Sequence, residues 1–457
     1  MSERIVVVGA DAAGMSAASQ AKRLAGDALE IVAFERTPYT SYSACGIPYW
    51  VGGEVDGPDA LIARTPEQHR RNGIDLRMRT EVEALDLDRR EVRVRDLERG
   101  STSTVGFDQI VLATGAVPRR PRLPGVNAPG VYGVQTLGDG EAILDALQDE
   151  PKHGVVVGGG YIGVEMAEAM VRRGLEVTVV DMAPEPMSQL DPDMGRIVRE
   201  QMECLGIRVR TSVTVEGFET DDRGRVRGVA LAGEEVAADL VVLGTGVRPN
   251  TELAREAGLT LGPAGGLLTD LKMRVLGAEG IWAGGDCVES IDRTSGRRVH
   301  AALGTHANKQ GRVIGTNLGG GYATFPGVIG TAVSKVCNLE IARTGLRENE
   351  CRDFGFDYVT AVTESTTRAG YYPGAAPITV KMIAERRTGR LLGAQIVGEE
   401  GAAKRIDTCA VALWNAMTVE EMTGLDLSYA PPFSPVWDPV LIAARKVADR
   451  LHGLPRP

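Results

Sequence analysis

Residues 154–181, GVVVGGGYIGVEMAEAMVRRGLEVTVVD, decide the fold. A β-branched run leads into glycines at the spacing GxGxxG, which here are Gly158, Gly160 and Gly163. A helical pattern follows, and a second β-branched run ends at Asp181. Glycines at this spacing let a strand turn sharply into a helix and let the backbone approach a pyrophosphate at the helix N-terminus. The stretch therefore predicts a βαβ unit that binds a dinucleotide.

The end of the second strand indicates which dinucleotide binds. Asp181 follows Gly158 by 23 residues, near the spacing of an acceptor for ribose hydroxyls. A carboxylate there would repel the 2′-phosphate of NADPH, and residues 182–187, MAPEPM, include no base to attract it. We therefore expect NADH at this site, with NADPH as the second choice.

A similar unit begins the chain. Residues 4–24, RIVVVGADAAGMSAASQAKRL, read as a strand, a Gly-rich turn and an Ala-rich helix. Gly9 and Gly14 keep the outer glycine positions of the motif, whereas Asp11 replaces the middle one. Glu35 follows Gly9 by 26 residues and ends the next strand. We predict a second dinucleotide site, although this turn alone also allows a Rossmann-like unit without a nucleotide.

Three further segments fit a protein with two nucleotides. IVLATGAVPRRP, from Ile110, and LVVLGTGVRPN, from Leu240, are similar and predict two chain crossings between domains. We place Thr114, Gly115 and Gly246 of these segments beside a cofactor. Asp286 ends the strand in GIWAGGD, where its carboxylate suits a sugar or ribityl hydroxyl. A helix N-cap is an equally good interpretation of Asp286.

Length and composition indicate a multidomain globular protein. A chain of 457 residues is too long for one core, and its net charge of −10 argues against non-specific nucleic-acid binding. No apolar run reaches the roughly 18 residues of a membrane span, and the first residues do not resemble an export signal. The six cysteines form no CxxC pair for redox chemistry or metal binding. We expect a cytoplasmic protein without a metal, with Cys204 and Cys409 in the core.

The order of these motifs resembles the flavoprotein disulfide reductases over nearly the whole chain. Within them it is similar to the single-cysteine branch, which comprises coenzyme A disulfide reductases, coenzyme A persulfide reductases and NADH oxidases. The resemblance implies an α/β fold with two Rossmann-like domains and a C-terminal α+β dimerisation domain. FAD would bind residues 1–110 with 245–325, NADH residues 111–244, and residues 326–457 would form a homodimer.

One cysteine lies where this branch has its redox centre. Cys45 occurs in YSACGIPYW, from Tyr42, and no second cysteine lies nearby. Pro48 predicts that a helix begins here, and a helix N-terminus lowers the pKa of a thiol. With one protein sulfur, the second must come from a small molecule as a mixed disulfide. Alternatively, Cys45 cycles through sulfenic acid with oxygen or peroxide as the oxidant.

The C-terminal region offers tyrosines rather than histidines. Residues 327–451 include no histidine. By resemblance, Tyr371 or Tyr372 in YYPG and Tyr429 in YAPPFSP reach the active-site cysteine of the other subunit. A phenol can hydrogen-bond a thiolate or protonate a leaving thiol. Interface packing is the alternative role for all three.

The resemblance also implies a site for coenzyme A. Gln20, Arg23 and Ser41 match positions that contact the coenzyme, and Arg64 and Arg368 add positive charge for its phosphates. Solvated surface positions are the alternative for such cations.

Ala44 departs from the asparagine common before the cysteine in coenzyme A disulfide reductases, which leaves the identity of the thiol open. Two other functions stay open: an NADH oxidase that uses Cys45 as sulfenic acid, and a redox-responsive protein that binds a partner.

Overall fold

The computed structural model of the protein describes residues 2–453, which contain twelve α-helices and 26 β-strands. The helices are α1 Ala12–Ala25, α2 Ile47–Val51, α3 Pro66–Arg71, α4 Leu137–Leu147, α5 Tyr161–Arg172, α6 Pro192–Cys204, α7 Glu252–Glu256, α8 Gly304–Leu318, α9 Glu348–Asp353, α10 Ile406–Trp414, α11 Val419–Thr423 and α12 Pro439–Leu451. The strands are β1 Glu3–Val8, β2 Leu29–Phe34, β3 Ile74–Arg77, β4 Thr80–Asp86, β5 Glu91–Asp96, β6 Thr102–Gly106, β7 Gln109–Leu112, β8 Ala116–Pro118, β9 Val131–Tyr132, β10 His153–Val157, β11 Glu176–Val180, β12 Arg208–Arg210, β13 Val215–Thr220, β14 Val226–Leu231, β15 Glu234–Ala237, β16 Leu240–Leu243, β17 Val247–Pro249, β18 Leu267–Leu268, β19 Ile281–Ala283, β20 Val288–Ile291, β21 Arg298–Val299, β22 Ala332–Val336, β23 Leu339–Gly345, β24 Tyr358–Thr366, β25 Pro377–Glu385 and β26 Leu391–Gly398. Residue 1 and residues 454–457, at the ends of two predicted domains, lie outside the described part.

The first sheet is parallel and uses strands from two distant parts of the chain. Its order is β19-β7-β1-β2-β3. Strand β1 pairs with β2 on one side and with β7 on the other. Strand β19, which comes after the second βαβ unit in the chain, pairs with β7. Helices α1 and α8 pack against each other, because Gly311 and Gly315 leave the space for it. This order supports the predicted discontinuous domain, whose limits stay a prediction.

The second sheet repeats the pattern with the order β12-β11-β10-β16-β9, also in parallel register. Strands β10 and β16 are almost wholly buried and apolar, as expected of strands covered on both faces.

The two predicted chain crossings lie side by side between these sheets. Strand β8 pairs with β17 in antiparallel register. The Thr114 hydroxyl donates to the backbone carbonyl of Asn250 at 2.6 Å, and the side-chain amide of Asn250 donates to the backbone carbonyl of Thr114 at 3.1 Å. The similar sequences of the two segments therefore form one paired link.

A third, antiparallel sheet has the order β22-β23-β26-β25-β24 and packs on α10, α11 and α12. Cys409 is buried in this core as predicted, whereas Cys204 is exposed at the end of α6 and its predicted core position is wrong. The apolar face of α6 is formed by Met194, Val198 and Met202, and Cys204 lies outside that stripe.

Within residues 2–453, no helix is long and apolar enough to cross a membrane.

Candidate active site

The first Gly-rich turn is shaped by two glycines that no other residue could replace without movement. Gly9 has a φ of 97°, and a Cβ on it would lie 2.2 Å from the Ala113 carbonyl oxygen. A Cβ on Gly14 would lie 1.9 Å from the Gly9 oxygen. The turn and α1 are thereby brought into close contact, as a dinucleotide site requires.

Glu35 fixes this turn from the next strand. Its carboxylate accepts hydrogen bonds from the backbone amides of Ala10 and Thr37, each at 2.9 Å. Each carboxylate oxygen has further acceptor capacity. Glu35 therefore lies beside the turn, where its spacing from Gly9 predicts a ribose acceptor.

The second turn has the same construction. Gly158 has a φ of 98°, and a Cβ on Gly163 would lie 1.9 Å from the Gly158 oxygen. The Asp181 carboxylate accepts from the amides of Gly159 at 2.6 Å and Ala183 at 2.8 Å. Gly160 is the N-cap of α5, as Asp11 is of α1.

Both helices begin in a way that fits a dinucleotide. Neither Asp11 nor Gly160 makes a side-chain cap, so the first amides of α1 and α5 have no capping side chain. Uncapped first-turn amides and the helix dipole form an anion site. Together with the two glycine cradles, they fit the pyrophosphate of a dinucleotide at each turn.

Asp11 is tied to the loop that carries the cysteine. Its Oδ1 accepts from the Tyr42 amide at 3.2 Å, and the Thr40 hydroxyl donates to the Ala10 carbonyl. Burial raises the pKa of Asp11 to about 6, with smaller contributions from the Glu35 and Asp286 charges. The departure from glycine thus links the turn to the Cys45 loop.

Asp286 lies close to these groups. It follows β19 in a turn that leads to β20, so its alternative role as a helix N-cap is wrong. The adjacent Gly285 packs on Ala13 of α1, where a Cβ would lie 3.1 Å from that of Ala13. Burial raises the pKa of Asp286. Asp286 is thereby placed at the N-terminal end of α1.

The crossings place the remaining predicted cofactor residues beside the two turns, with Thr114 next to Gly9 and the segment of Gly246 next to Gly158. Gly115 and Gly246 have φ values of 68° and 79°, a conformation that favours glycine. Cys287, next to Asp286, is buried, and its thiol donates to the carbonyls of Leu112 and Gly284. This placement gives Cys287 a structural role.

Cys45 is exposed in a short 3₁₀ turn, Ala44–Gly46, directly before α2. The expected lowering of its pKa is wrong. Desolvation by the surrounding loops raises the pKa of the thiol, and the carboxylates of Glu165 and Asp286 raise it further. The helix that follows has five residues, so its dipole is small against these effects.

Glu165 on α5 was not predicted as a site residue. Its carboxyl accepts from the Ser334 hydroxyl at 2.9 Å, and burial raises its pKa to about 7. An acidic residue two positions after Gly163, in an otherwise apolar helix start, is the feature of the sequence that could have revealed it.

The predicted tyrosines are gathered on the third domain. Tyr371 and Tyr429 are exposed, and the neighbouring Tyr371 hydroxyl raises the pKa of Tyr429. Tyr372 is half-buried. In residues 2–453, no hydrogen bond joins Cys45 to any of them within one protomer. Exposed apolar residues surround the pair, namely Phe433, Val436 and Trp437.

The predicted coenzyme residues lie on two surfaces. Gln20 on α1 donates to the Thr316 hydroxyl at 3.2 Å and accepts from the exposed Arg23 at 2.8 Å. Arg64 is exposed near the Cys45 loop. Arg368 pairs with Glu400 at 3.2 Å on the third domain.

Ser41, in the Cys45 loop, has a φ of 51°, and its hydroxyl lies 2.9 Å from Nε2 of buried His69. Burial lowers the pKa of His69, with the Arg64 charge as a second cause. A histidine in the polar segment PEQHRR gave no indication of this contact.

The chain matches known families over most of its length. Residues 3–311 match the pyridine nucleotide-disulphide oxidoreductase family, and residues 331–439 match the dimerisation domain of that family. An NAD(P)H coenzyme A polysulfide/persulfide reductase of Pyrococcus horikoshii is 39% identical over 97% of this chain and 98% of its own. An NADH oxidase of Methanocaldococcus jannaschii is 37% identical over 98% of this chain and 100% of its own.

A solved structure shares the fold. An NAD-dependent persulfide reductase from A. fulgidus superposes with a TM-score of 0.95 at 39% identity, covering 98% of this chain and 84% of that one. The predicted α/β fold with a C-terminal dimerisation domain is confirmed.

Proposed function

This chain belongs to the FAD-dependent pyridine nucleotide-disulphide oxidoreductase family, and we propose that it reduces a coenzyme A disulfide or persulfide with NADH through Cys45. The observation that carries the proposal is the exposed Cys45 thiol in a loop bonded directly to the first dinucleotide turn. In the part of the chain that the structure describes, all six cysteines are free.

The first unit would hold FAD and the second NADH. Residues 1–110 with 245–325 would bind FAD through Gly9, Gly14 and Glu35, supported by the order of the first sheet. Residues 111–244 would bind NADH. Asp181 supports NADH over NADPH, because its carboxylate would repel a 2′-phosphate. The bound FAD would supply two electrons, taken from NADH as hydride, to the thiol site.

Cys45 performs the covalent step. Its thiolate attacks one sulfur of the substrate disulfide, so that a Cys45–sulfur bond forms and the substrate S–S bond breaks. A coenzyme A disulfide leaves one coenzyme A thiolate, and a persulfide leaves hydrosulfide. Two electrons from NADH then cleave the mixed disulfide and return Cys45 to the thiolate. The departing sulfurs take up protons.

The proton donors come from the dimerisation domain. Residues 326–457 would form a homodimer, supported by the family match and by the exposed Phe433 and Trp437. Tyr429 of the partner subunit, assisted by Tyr371 or Tyr372, would then protonate the leaving thiol. The exposure of Tyr371 and Tyr429 in one protomer supports this role, because side chains that reach a partner subunit are uncovered in a single chain.

Substrate phosphates would bind where the cations are exposed. Arg23 lies on α1, and Arg64 lies near the Cys45 loop. Gln20, which bonds Arg23, and Ser41, which contacts His69, would add uncharged hydrogen-bonding groups. Arg368, next to the tyrosines, would contribute across the dimer.

Anaerobic turnover tests the proposal. NADH consumption is measured without oxygen, first with coenzyme A disulfide and then with coenzyme A persulfide as the only oxidant. Saturable turnover in the wild type and its loss in Cys45→Ser are expected. A Cys204→Ser variant is the matched control, since Cys204 is also exposed but lies on α6. Full activity in Cys45→Ser would overturn the proposal.

The NADH oxidase of M. jannaschii makes oxygen the alternative acceptor. Fast oxygen-dependent NADH loss without any thiol substrate would favour that function. A redox-responsive binding role would require negligible turnover with every oxidant.

A further inference from the structure

A strap of residues 182–191 follows Asp181 and leans on the second Gly-rich turn. The Met187 amide donates to the Gly159 carbonyl at 2.7 Å, and Met187 adopts a positive φ of 54°. Pro186 packs closely on Gly159, because a Cβ added to Gly159 would lie 3.1 Å from the Cβ of Pro186. The strap therefore forms one wall of the turn that carries Asp181.

The opposite side of the strap is held by the dimerisation domain. Arg343, on β23, donates to the Gln189 carbonyl at 3.0 Å. Arg347, the N-cap of α9, donates to the Ser188 carbonyl. Two cations from a different domain thus bind consecutive carbonyls of the strap.

The strap ends in a buried set of hydrogen bonds. The Asp191 backbone amide donates to Oε1 of Gln395, and Nε2 of Gln395 donates to Oδ2 of Asp191, each at 2.7 Å. Its Oδ1 accepts from the Glu348 amide at 3.0 Å. Asp191 is 4% exposed, so these contacts compete little with water.

Lys381 lies at the centre of this contact. It is 2% exposed, and its ammonium lies 3.1 Å from Asp191, 2.8 Å from Asp193 and 2.5 Å from Glu348. The carboxylates of Asp191 and Asp193 belong to the strap end and α6, whereas Glu348 belongs to α9. One buried cation therefore joins two domains through three carboxylates.

Removing the cation would leave three carboxylates close together, of which Asp191 is buried and Asp193 and Glu348 are partly exposed. A buried charge without its partner is costly, so the three carboxylates would separate or take up water. The movement open to them is that of the strap, since Glu348 is fixed on α9 by the Tyr358 hydroxyl at 3.0 Å. A shift of the strap would reach Met187 and hence the Gly159 turn.

We propose that Lys381 is a positioning residue for dinucleotide binding, which acts through the strap on the second Gly-rich turn. This rests on the proposed function of the second unit as the NADH site. It adds that the dimerisation domain sets the affinity of that site.

The test uses the FAD-loaded protein and NAD⁺ without any thiol substrate. NAD⁺ affinity is measured by calorimetry, and backbone hydrogen exchange of the peptide containing residues 182–191 by mass spectrometry. Lys381→Met is expected to bind NAD⁺ roughly 3- to 30-fold more weakly, the range of couplings carried by residues away from a ligand. Exchange in the strap should be faster, and the flavin content unchanged.

Two variants separate positioning from general damage. Met382→Ala alters the next residue of β25, whose side chain lies in the core on the other face. It should lower the melting temperature without changing NAD⁺ affinity or strap exchange. Lys381→Arg should recover part of the affinity.

If Lys381→Met does not fold, Asp191→Asn decides, since it weakens the same contact from the strap side and should shift NAD⁺ affinity in the same direction. Unchanged affinity in Lys381→Met or Asp191→Asn, or an equal loss in Met382→Ala, would overturn the proposal. Absence of disulfide reductase activity would leave these binding results unaltered. A wild type that binds no NAD⁺ would remove both proposals.

Discussion

The two dinucleotide units are nearly identical in backbone and differ in what surrounds them. Gly9 and Gly158 have φ values of 97° and 98°, and each lies under a glycine whose Cβ would come within 1.9 Å. Glu35 and Asp181 each accept from the amide after the first glycine and from the amide two residues beyond themselves. Local sequence alone determines these features.

The surroundings of the two units differ. Helix α8 covers α1, with a Cβ on Gly311 only 2.3 Å from the Ala13 oxygen, and Asp11 adds a bond to the Cys45 loop. The second turn instead lies under the strap, which is held from another domain. The first turn is therefore bonded to the loop that carries Cys45, whereas the second is bonded through the strap to the dimerisation domain.

Valine substitutions of the matching glycines should show the largest difference between the two units. Gly14→Val should reduce FAD content by at least about tenfold, because the side chain would overlap the Gly9 carbonyl. Gly163→Val should keep the flavin absorbance but prevent its bleaching by NADH. Absorbance spectra before and after anaerobic NADH addition distinguish the two. Loss of flavin in Gly163→Val as well would show that the sites are not separate.

Removing the second acidic residue should have the next largest effect. Asp181→Ala deletes the acceptor of two amides and the proposed ribose acceptor, so KM for NADH should rise roughly 10- to 100-fold, as for charged hydrogen bonds. The preference for NADH over NADPH should shrink at the same time. Steady-state kinetics with both nucleotides measure this, and an unchanged ratio would contradict the role of Asp181.

Asp11 should give the first unit a pH dependence, whereas the second unit has Gly160 at the matching position. With its pKa near 6, the carboxyl is neutral at lower pH and ionised above, where it would repel a pyrophosphate. FAD affinity of the deflavinated wild type should therefore fall as pH rises through about 6, by roughly fivefold for one unit charge nearby.

Asp11→Asn keeps an acceptor for the Tyr42 amide and should bind FAD equally across this range. Fluorescence titrations of FAD provide the measurement. A wild-type affinity that does not change with pH would contradict the assigned repulsion.

Glu165→Gln should have the smallest effect. Above its pKa of about 7, Glu165 is charged and raises the pKa of Cys45. Without that charge, the Cys45 pKa should fall and its alkylation by iodoacetamide near neutral pH should quicken by about twofold. Slower alkylation would contradict the assigned direction.

The sequence predicted what depends on short patterns and missed what depends on distant contacts. The glycines, Glu35 and Asp181 follow from motifs within single βαβ units, and the paired crossings follow from the similarity of two short segments. The pKa of Cys45 was predicted in the wrong direction, because it is set by desolvation of the thiol and by Glu165 and Asp286, which lie far away in the chain. Lys381 resembled an ordinary strand residue until folding placed three carboxylates around it.

Intact mass spectrometry of the protein with its cysteines reduced, after incubation with coenzyme A disulfide and without NADH, tests the single-thiol claim most directly. The account predicts one coenzyme A adduct per chain, mapped to Cys45, released on anaerobic NADH addition and missing in Cys45→Ser. Cys204 is the internal control, because it is exposed too but distant in sequence from the proposed site. No adduct on Cys45, or one that NADH does not release, would contradict the account.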